Sequence, residues 1–242
     1  MTRRKWIEAS LGTLAGASGL AAAAKVADRY GLIPPDSGGL YGPGETLTYA
    51  SQRLLTRHSL AREFRREQIS QAPFCNTASW QKQLLEQLNQ FSFADWRLSI
   101  DGMVAKPASY SIADLKSHTS RNQITQLICE EGWSYIAEWT GASLADVLDR
   151  AGVSPQAKYV LYSSFEQGWT DSIDMSDALH PQTLLTYGMN GRDLPVGFGG
   201  PLRMRVPRQL GYKSVKWINR ITITDDRKKL GAQFPYAWYA GI

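Results

Sequence analysis

Cysteine and histidine are scarce in this 242-residue chain: two cysteines, Cys75 and Cys129, and three histidines, His58, His118 and His180. The cysteines show no zinc-type pairing, and the histidines are too few and too scattered to form a histidine metal site. There is no Walker A loop, no Gly-x-Gly-x-x-Gly fingerprint and no Gly-x-Ser-x-Gly elbow, so nothing points to a P-loop, a dinucleotide fold or an α/β-hydrolase. No long Lys/Arg run interleaved with aromatics is present, which argues against nucleic acid as a partner. The formal net charge of +5 then suits a membrane surface or an anionic ligand. Internal repeats and low-complexity tracts are also missing.

What is present is the composition of a compact globular protein. Hydrophobic residues make up 43%, charged residues 20%, and aromatics 11% with eight tryptophans. Such a chain builds a full core without staples and is not disordered. Its length allows one large domain or two small ones.

Residues 1–27 stand apart. Arg3-Arg4-Lys5-Trp6-Ile7 precedes a weakly apolar stretch from Ala9 to Ala24, and Ala22-Ala23-Ala24 offers small residues for cleavage. This reads as a twin-arginine export signal, with a frayed amphipathic helix as the alternative. Export places the protein in the periplasm; uncleaved, the same segment is a membrane tether. Residues 28–56, with Pro34-Pro35, Gly38-Gly39 and Gly42-Pro43-Gly44, read as an extended linker. Residues 57–242 form the remaining domain.

Along that domain, Arg62 to Ile69 reads as a short helix. Ser79 is placed to cap a helix with Leu84, Leu85, Leu88 and Phe91 on one face. Trp96 to Asp101 alternates as a strand, with Asp101-Gly102 as its turn. Ser111-Ile112-Ala113-Asp114 opens a brief helix, and Ile124 to Cys129 is a buried strand. Ser143 to Arg150 is a helix ended by Gly152. Lys158 to Ser163 is a strand, and Met175 to Leu179 forms a turn or two of helix. Asn190-Gly191 joins a hairpin, and Leu202–Val206 and Val215–Thr224 finish the strands. Short helices among many strands in irregular order predict an α+β fold with a mixed sheet.

Cys129 ends the apolar run Leu127-Ile128 and is followed by Glu130-Glu131-Gly132-Trp133-Ser134. A soft thiolate there is a candidate metal ligand. Other readings of the same residue are a disulfide to Cys75, which an oxidising compartment permits, and a Cys–His nucleophile with His58 or His180.

Five segments, taken in order and spacing, resemble the molybdopterin-binding domain of the sulfite oxidase family. They are Arg57-His58-Ser59-Leu60-Ala61-Arg62-Glu63-Phe64, Trp96-Arg97-Leu98 with Asp101-Gly102, Cys129 to Ser134, Ala178 to Thr183, and Gly200-Pro201-Leu202-Arg203 running to Gly211 through Ile218. The likeness is to the small exported bacterial branch, which includes reductases of methionine sulfoxide in proteins. It implies a single-domain sulfite-oxidase-type fold and a molybdenum–molybdopterin cofactor, with no haem in this chain. It implies Cys129 as the one protein ligand to molybdenum and Glu131 as a proton-handling side chain beside it. It implies cofactor contacts from His58, Arg62, Glu63, Ser164, Arg203, Lys213, Ser214, Val215 and Lys216. Phe198 departs from the family, which usually places a polar side chain there; either the cofactor is held differently on that side, or a neighbour such as Arg208 or His180 compensates. His180, before Pro181, is either structural or catalytic.

An ionised Glu131 repels a doubly negative sulfite, so the expected substrate is a neutral S-oxide or N-oxide, small or protein-bound. A sulfite oxidase proper is the competing enzyme, and a cofactor-free binding module on the same fold is the competitor from another class. Tyr236, Trp238 and Tyr239 are candidates for a pocket wall or for core packing. Two-electron chemistry needs an electron route, and a membrane cytochrome b or another haem protein is the expected partner.

Overall fold

The computed structural model describes residues 21–35, 42–77, 83, 86, 90, 93–165, 169–226, 229–230, 238 and 241–242. The Arg3-Arg4 motif, Gly38-Gly39, the Ser79-capped helix face, Tyr236 and Tyr239 lie outside these residues. The chain divides into two units, the first ending at Thr56 and the second running from Arg57 to Ile242.

In the first unit, residues 21–29 are helical and α1 spans Gly42–Thr56. The extended linker expected over 28–56 is therefore corrected from Gly42 onward. Pro43 sits where the first helical turn tolerates it, and no glycine or proline follows Gly44 in this helix. Glu45 in the first turn and Arg53 in the last suit the helix dipole. No helix among the described residues is long and apolar enough to cross a membrane.

Among its described residues the second unit holds ten strands in two sheets. One has the order β2-β1-β10-β5-β6, with β1 at Leu98–Gly102, β2 at Ala108–Tyr110, β5 at Tyr159–Ser164, β6 at Thr170–Asp174 and β10 at Ile218–Thr224. It is mixed, because β1 and β10 run parallel while the other pairs are antiparallel. The other sheet runs β3-β4-β7-β8, with β9 also on β7. Its strands are β3 (Ser120–Ile128), β4 (Ser134–Ser143), β7 (Leu184–Met189), β8 (Arg192–Asp193) and β9 (Arg203–Arg205). Leu98, Ile100, Tyr162, Ile221 and Ile223 of the first sheet and Leu185, Tyr187 and Met204 of the second share one buried cluster. The α+β, mixed-sheet architecture is as expected.

Local signals explain the short helices. Ser111 caps α2 (Ile112–Ser117) in a capping box with Asp114, and Ser143 caps α3 (Leu144–Ala151) through Asp146 N–H. Gly152 ends α3 in the left-handed region at φ 67°. The brief α4 is Met175–Ala178. Asn190 and Gly191, at φ 52° and 75°, form the tight turn between β7 and β8.

Two local expectations fail. Arg62 to Ile69 holds only a 3-10 turn at Arg66–Gln68. Phe64 N–H instead donates to Ile124 O at 2.9 Å, and Glu63 bridges Thr125, so the edge of β3 claims this segment. Asp101-Gly102 is not a two-residue turn: Gly102 still pairs with Ile223 on β10, where an added Cβ would collide with the Ile223 backbone. Glycine is needed there for close approach.

Candidate active site

Cys129 follows β3 directly. The β3–β4 register is unbroken from Ser120↔Ala142 to Ile128↔Ser134, so residues 129–133 form the loop that closes this hairpin. Cys129 N–H donates to Trp133 O at 2.9 Å and Gly132 N–H returns to Cys129 O at 3.1 Å. Gly132 adopts φ 91°, which glycine permits. The thiol is thereby held at the sheet's end and buried.

A second loop, between β9 and β10, lies against the first. A Cβ at Gly211 would sit 3.2 Å from Ile128 O and 3.5 Å from Cys129 Cα, so glycine lets the two backbones meet. Between the loops is a cavity of about 230 Å³. Cys129, Glu130, Glu131 and Trp133 line it from the hairpin, and Arg203, Ser214, Val215 and Lys216 from the β9–β10 side. Asn76, Tyr212 and Trp169 complete much of the wall.

The thiol end is acidic. Cys129 Sγ–H donates to Glu130 Oε2 at 3.4 Å and approaches Glu131 Oε2 at 3.8 Å. Trp133 Nε1–H donates to that same Glu131 oxygen at 2.7 Å. Burial, aided by both carboxylates and opposed by a backbone hydrogen bond at Glu131, pushes the thiol up to about 12. It stays protonated at neutral pH unless a bound cation takes the proton's place.

The opposite end is basic. Arg203 Nε–H donates to Ser214 O at 2.8 Å, and its NH1 to Phe198 O at 3.0 Å. Lys216 Nζ donates to Asn76 Oδ1, Thr77 Oγ1 and Gly197 O at 2.8–2.9 Å. Behind Arg203 lies Arg205, fully buried, and the two guanidiniums flank the Trp139 ring at 5.7 and 5.2 Å. Among the described residues neither arginine forms an ion pair. Burial, then the neighbouring Arg203, pulls the Arg205 guanidinium down to about 9. Two buried cations without a carboxylate are costly unless an anion joins them. A cavity with one thiol at one end and this uncompensated charge at the other fits an anionic cofactor whose metal needs a single protein ligand.

The cavity gathers six of the sequence-selected residues: Cys129, Glu131, Arg203, Ser214, Val215 and Lys216. Five lie elsewhere. Lys213 is buried in an ion pair with Asp171 at 2.7 Å and also donates to Ser172 O, so its charge is already used. His58 lines a separate hollow with Arg57, Met175, Ser176 and His180. Arg62 is exposed over the Phe64 ring, and Glu63 accepts from Gln182 Nε2 at 3.1 Å. Ser164 is buried on β5, donating its N–H to Trp169 O. Neither proposed substitute for a polar residue at 198 reaches the cavity: Arg208 pairs with Asp177 at 2.7 Å, and His180 bonds Ser59 O and Gln182 N. Phe198 contributes through its carbonyl, while its ring packs edge-on against Tyr135 at 5.8 Å. Neither cysteine is joined in a disulfide, and Cys75 donates to Gly197 O at 3.1 Å, so the disulfide alternative is not formed. No His lines the Cys129 cavity among the described residues, which leaves a Cys–His nucleophile without its base. Trp238 is buried in the core direction, its ring edge-on to Tyr159.

Sequence reasoning missed Glu130, Asn76, Trp169 and Arg205. Only Arg205 left a readable signal: it shares a strand face with Arg203, two residues apart, between apolar Met204 and Val206.

Comparison with known proteins agrees with this site. The oxidoreductase molybdopterin binding domain matches residues 85–231, more than half of the chain. A YedZ1 protein of Azospira oryzae, provisionally named a protein-methionine-sulfoxide reductase subunit, is 36% identical over 140 residues, 58% of this chain and 53% of that protein. The protein-methionine-sulfoxide reductase catalytic subunit MsrP of Ralstonia nicotianae is 31% identical over 166 residues, 61% of this chain and 50% of that protein. The match thus spans about half the length of these curated relatives. The sulfane dehydrogenase SoxCD of Paracoccus pantotrophus shares the fold, with a TM-score of 0.53 at 22% identity over 70% of this chain and 46% of that one.

Proposed function

This chain belongs to the oxidoreductase molybdopterin binding domain family, and from that premise we propose that it is a molybdenum enzyme reducing a neutral S-oxide to the sulfide and water. One observation carries the reading: a buried thiol and Arg203, a buried arginine with no carboxylate among the described residues, line the same cavity. The names of the relatives support the substrate class.

When bound, a molybdenum pyranopterin supplies two-electron oxygen-atom exchange. The chain's own residues do the rest. Cys129 offers the single sulfur ligand. Arg203 and Lys216 give the pterin phosphate its cations, with the Ser214–Val215 backbone beside them. Releasing water from an S-oxide takes two protons, and Glu131, aimed at the thiol end by Trp133 Nε1–H, is placed to hold and pass one. Trp133 and Trp169 give the substrate's sulfur and carbon ends an aromatic wall. Sulfite oxidation is the weaker reading, because Glu130 and Glu131 both face the thiol and repel an anion there.

Electrons have to enter from outside the chain, and a membrane haem protein of the cytochrome b type is the proposed donor. The relative's name, a catalytic subunit, supports a second component. Export to the periplasm by the twin-arginine route is proposed from Arg3-Arg4 and the apolar stretch that follows.

The test is molybdenum per chain after expression with the native N-terminus in a molybdopterin-competent host. A near-stoichiometric metal content that Cys129→Ser abolishes is expected, together with viologen-dependent sulfoxide reduction. Metal below about a tenth of an equivalent, unchanged by Cys129→Ser, would overturn the reading.

A further inference from the structure

Arg205 does not line the cavity, yet it touches the strand that leads into one of its loops and a residue of the other. Its NH2 donates to Gln126 O at 2.6 Å and to Thr125 Oγ1 at 3.1 Å, on the strand that delivers Cys129 three residues later. Its NH1 reaches Ser214 Oγ at 3.4 Å, on the opposite loop. Ser214 Oγ also accepts from Val206 N–H at 3.1 Å, and Ser214 O from Arg203. One guanidinium thus spans the thiol strand and the loop that carries Ser214, Val215 and Lys216.

A neutral side chain could make such a brace at lower cost. Burying a guanidinium beside another one, with Nε lacking any partner, is the expensive choice. Lys213, likewise fully buried, has its carboxylate. Arg205 has none among the described residues, and its neighbour Arg203 lines the cavity.

We infer that Arg205 is a positioning residue of the cofactor site: it fixes the cofactor loop against the Cys129 strand, and its charge is balanced only when the cavity holds an anion. This rests on the molybdopterin reading above. The brace sets the separation between the thiol and the phosphate end, and the charge raises the potential felt by any anion or metal held between them.

The experiment compares the full-length wild type with Arg205→Met and Arg205→Lys, each purified from the molybdopterin-competent host. Three quantities are read: molybdenum per chain, the Mo(V) midpoint potential by EPR-monitored titration, and the melting temperature of the cofactor-free chain. Arg205→Met is expected to lose at least two thirds of the molybdenum and to shift the potential of the loaded remainder negative. Its cofactor-free form should melt no lower than the cofactor-free wild type. Arg205→Lys keeps the charge without the fork; it should hold intermediate metal at an unshifted potential. Wild-type metal content and potential in Arg205→Met overturn the inference. So does equal loss of melting temperature with and without cofactor, which is what a merely structural residue would give. Should the wild type itself carry no molybdenum, the enzyme reading fails, and inorganic pyrophosphate becomes the probe. A melting-temperature rise with pyrophosphate in the wild type that Arg205→Met lacks supports the anion role; an equal rise in both overturns it.

Discussion

Two sets of buried cations occupy β9 and the loop that follows it, and they are built oppositely. On one side Lys213 closes on Asp171 and Arg208 on Asp177, each at 2.7 Å. Burial raises the Asp171 carboxyl, and Lys213 is the main force opposing that rise. On the other side, among the described residues, Arg203 and Arg205 meet carbonyls, hydroxyls and the face of Trp139. A cation with its carboxylate is complete in the protein alone. A buried cation without one is costly unless an anion joins it. Arg203 of the second set lines the Cys129 cavity, and neither member of the first set does.

Substitution of one member from each set puts the contrast to its hardest test. Lys213→Met leaves Asp171 buried without its cation, and should cost about 3–5 kcal/mol of stability, read by denaturant unfolding. The folded fraction should keep its molybdenum. Arg203→Met should do the reverse: metal content at least about tenfold lower, equivalent to about 1.4 kcal/mol or more of lost cofactor binding, with cofactor-free stability changed by no more than about 2 kcal/mol. If Lys213→Met sheds metal without unfolding, the division between the two sets is wrong.

That division is also where sequence reading stopped. Alternation and turn chemistry made the strands legible, because each is a property of neighbouring residues. Ser111 and Ser143 announced α2 and α3 in the same way. Cys129 was legible through its surroundings, as was the pairing of the 129–134 segment with the 203–216 loop. Lys213 and Lys216 look alike along the chain, three residues apart. What separates them is Asp171, 42 positions away, and no local pattern carries that information. Arg62 to Ile69 failed for a related reason: its composition suits a helix, but the unpaired edge of β3 offers its backbone better partners.

A smaller effect tests the acidic end of the cavity against its basic end. Glu130 and Glu131 should set the sign of charge admitted to the thiol. Glu130→Gln should raise kcat/KM for sulfite, assayed with an artificial acceptor, by about 3–10-fold at low salt, while a neutral sulfoxide changes less than about twofold. The gain should shrink as ionic strength rises, since Glu130 is only partly buried. Glu131→Gln should show the same selectivity change together with lower sulfoxide turnover, because it is also placed to pass a proton. Equal effects on charged and neutral substrates would mean that these carboxylates shape the loop rather than filter charge.

The smallest effect belongs to the compensated side. His180 lies beside Arg208 and Asp177; burial first, then Arg208, lowers its proton affinity below the ordinary 6.5. His118 is shifted the same way, by burial and then Arg150. The unfolded chain therefore binds these protons before the folded chain does. Stability is full above about pH 6.5 and declines as pH falls from there through the folded values, no more steeply than about 1.4 kcal/mol per pH unit for each histidine. Urea unfolding at pH 7.5, 6.5 and 5.5 should show that decline, and His180→Gln should flatten it. Molybdenum content after dialysis across the same range should hold constant, because neither histidine lines the Cys129 cavity. Metal loss that tracks the His180 titration would tie the compensated network to the cofactor after all, and the two sets of cations would then have to be read as one system.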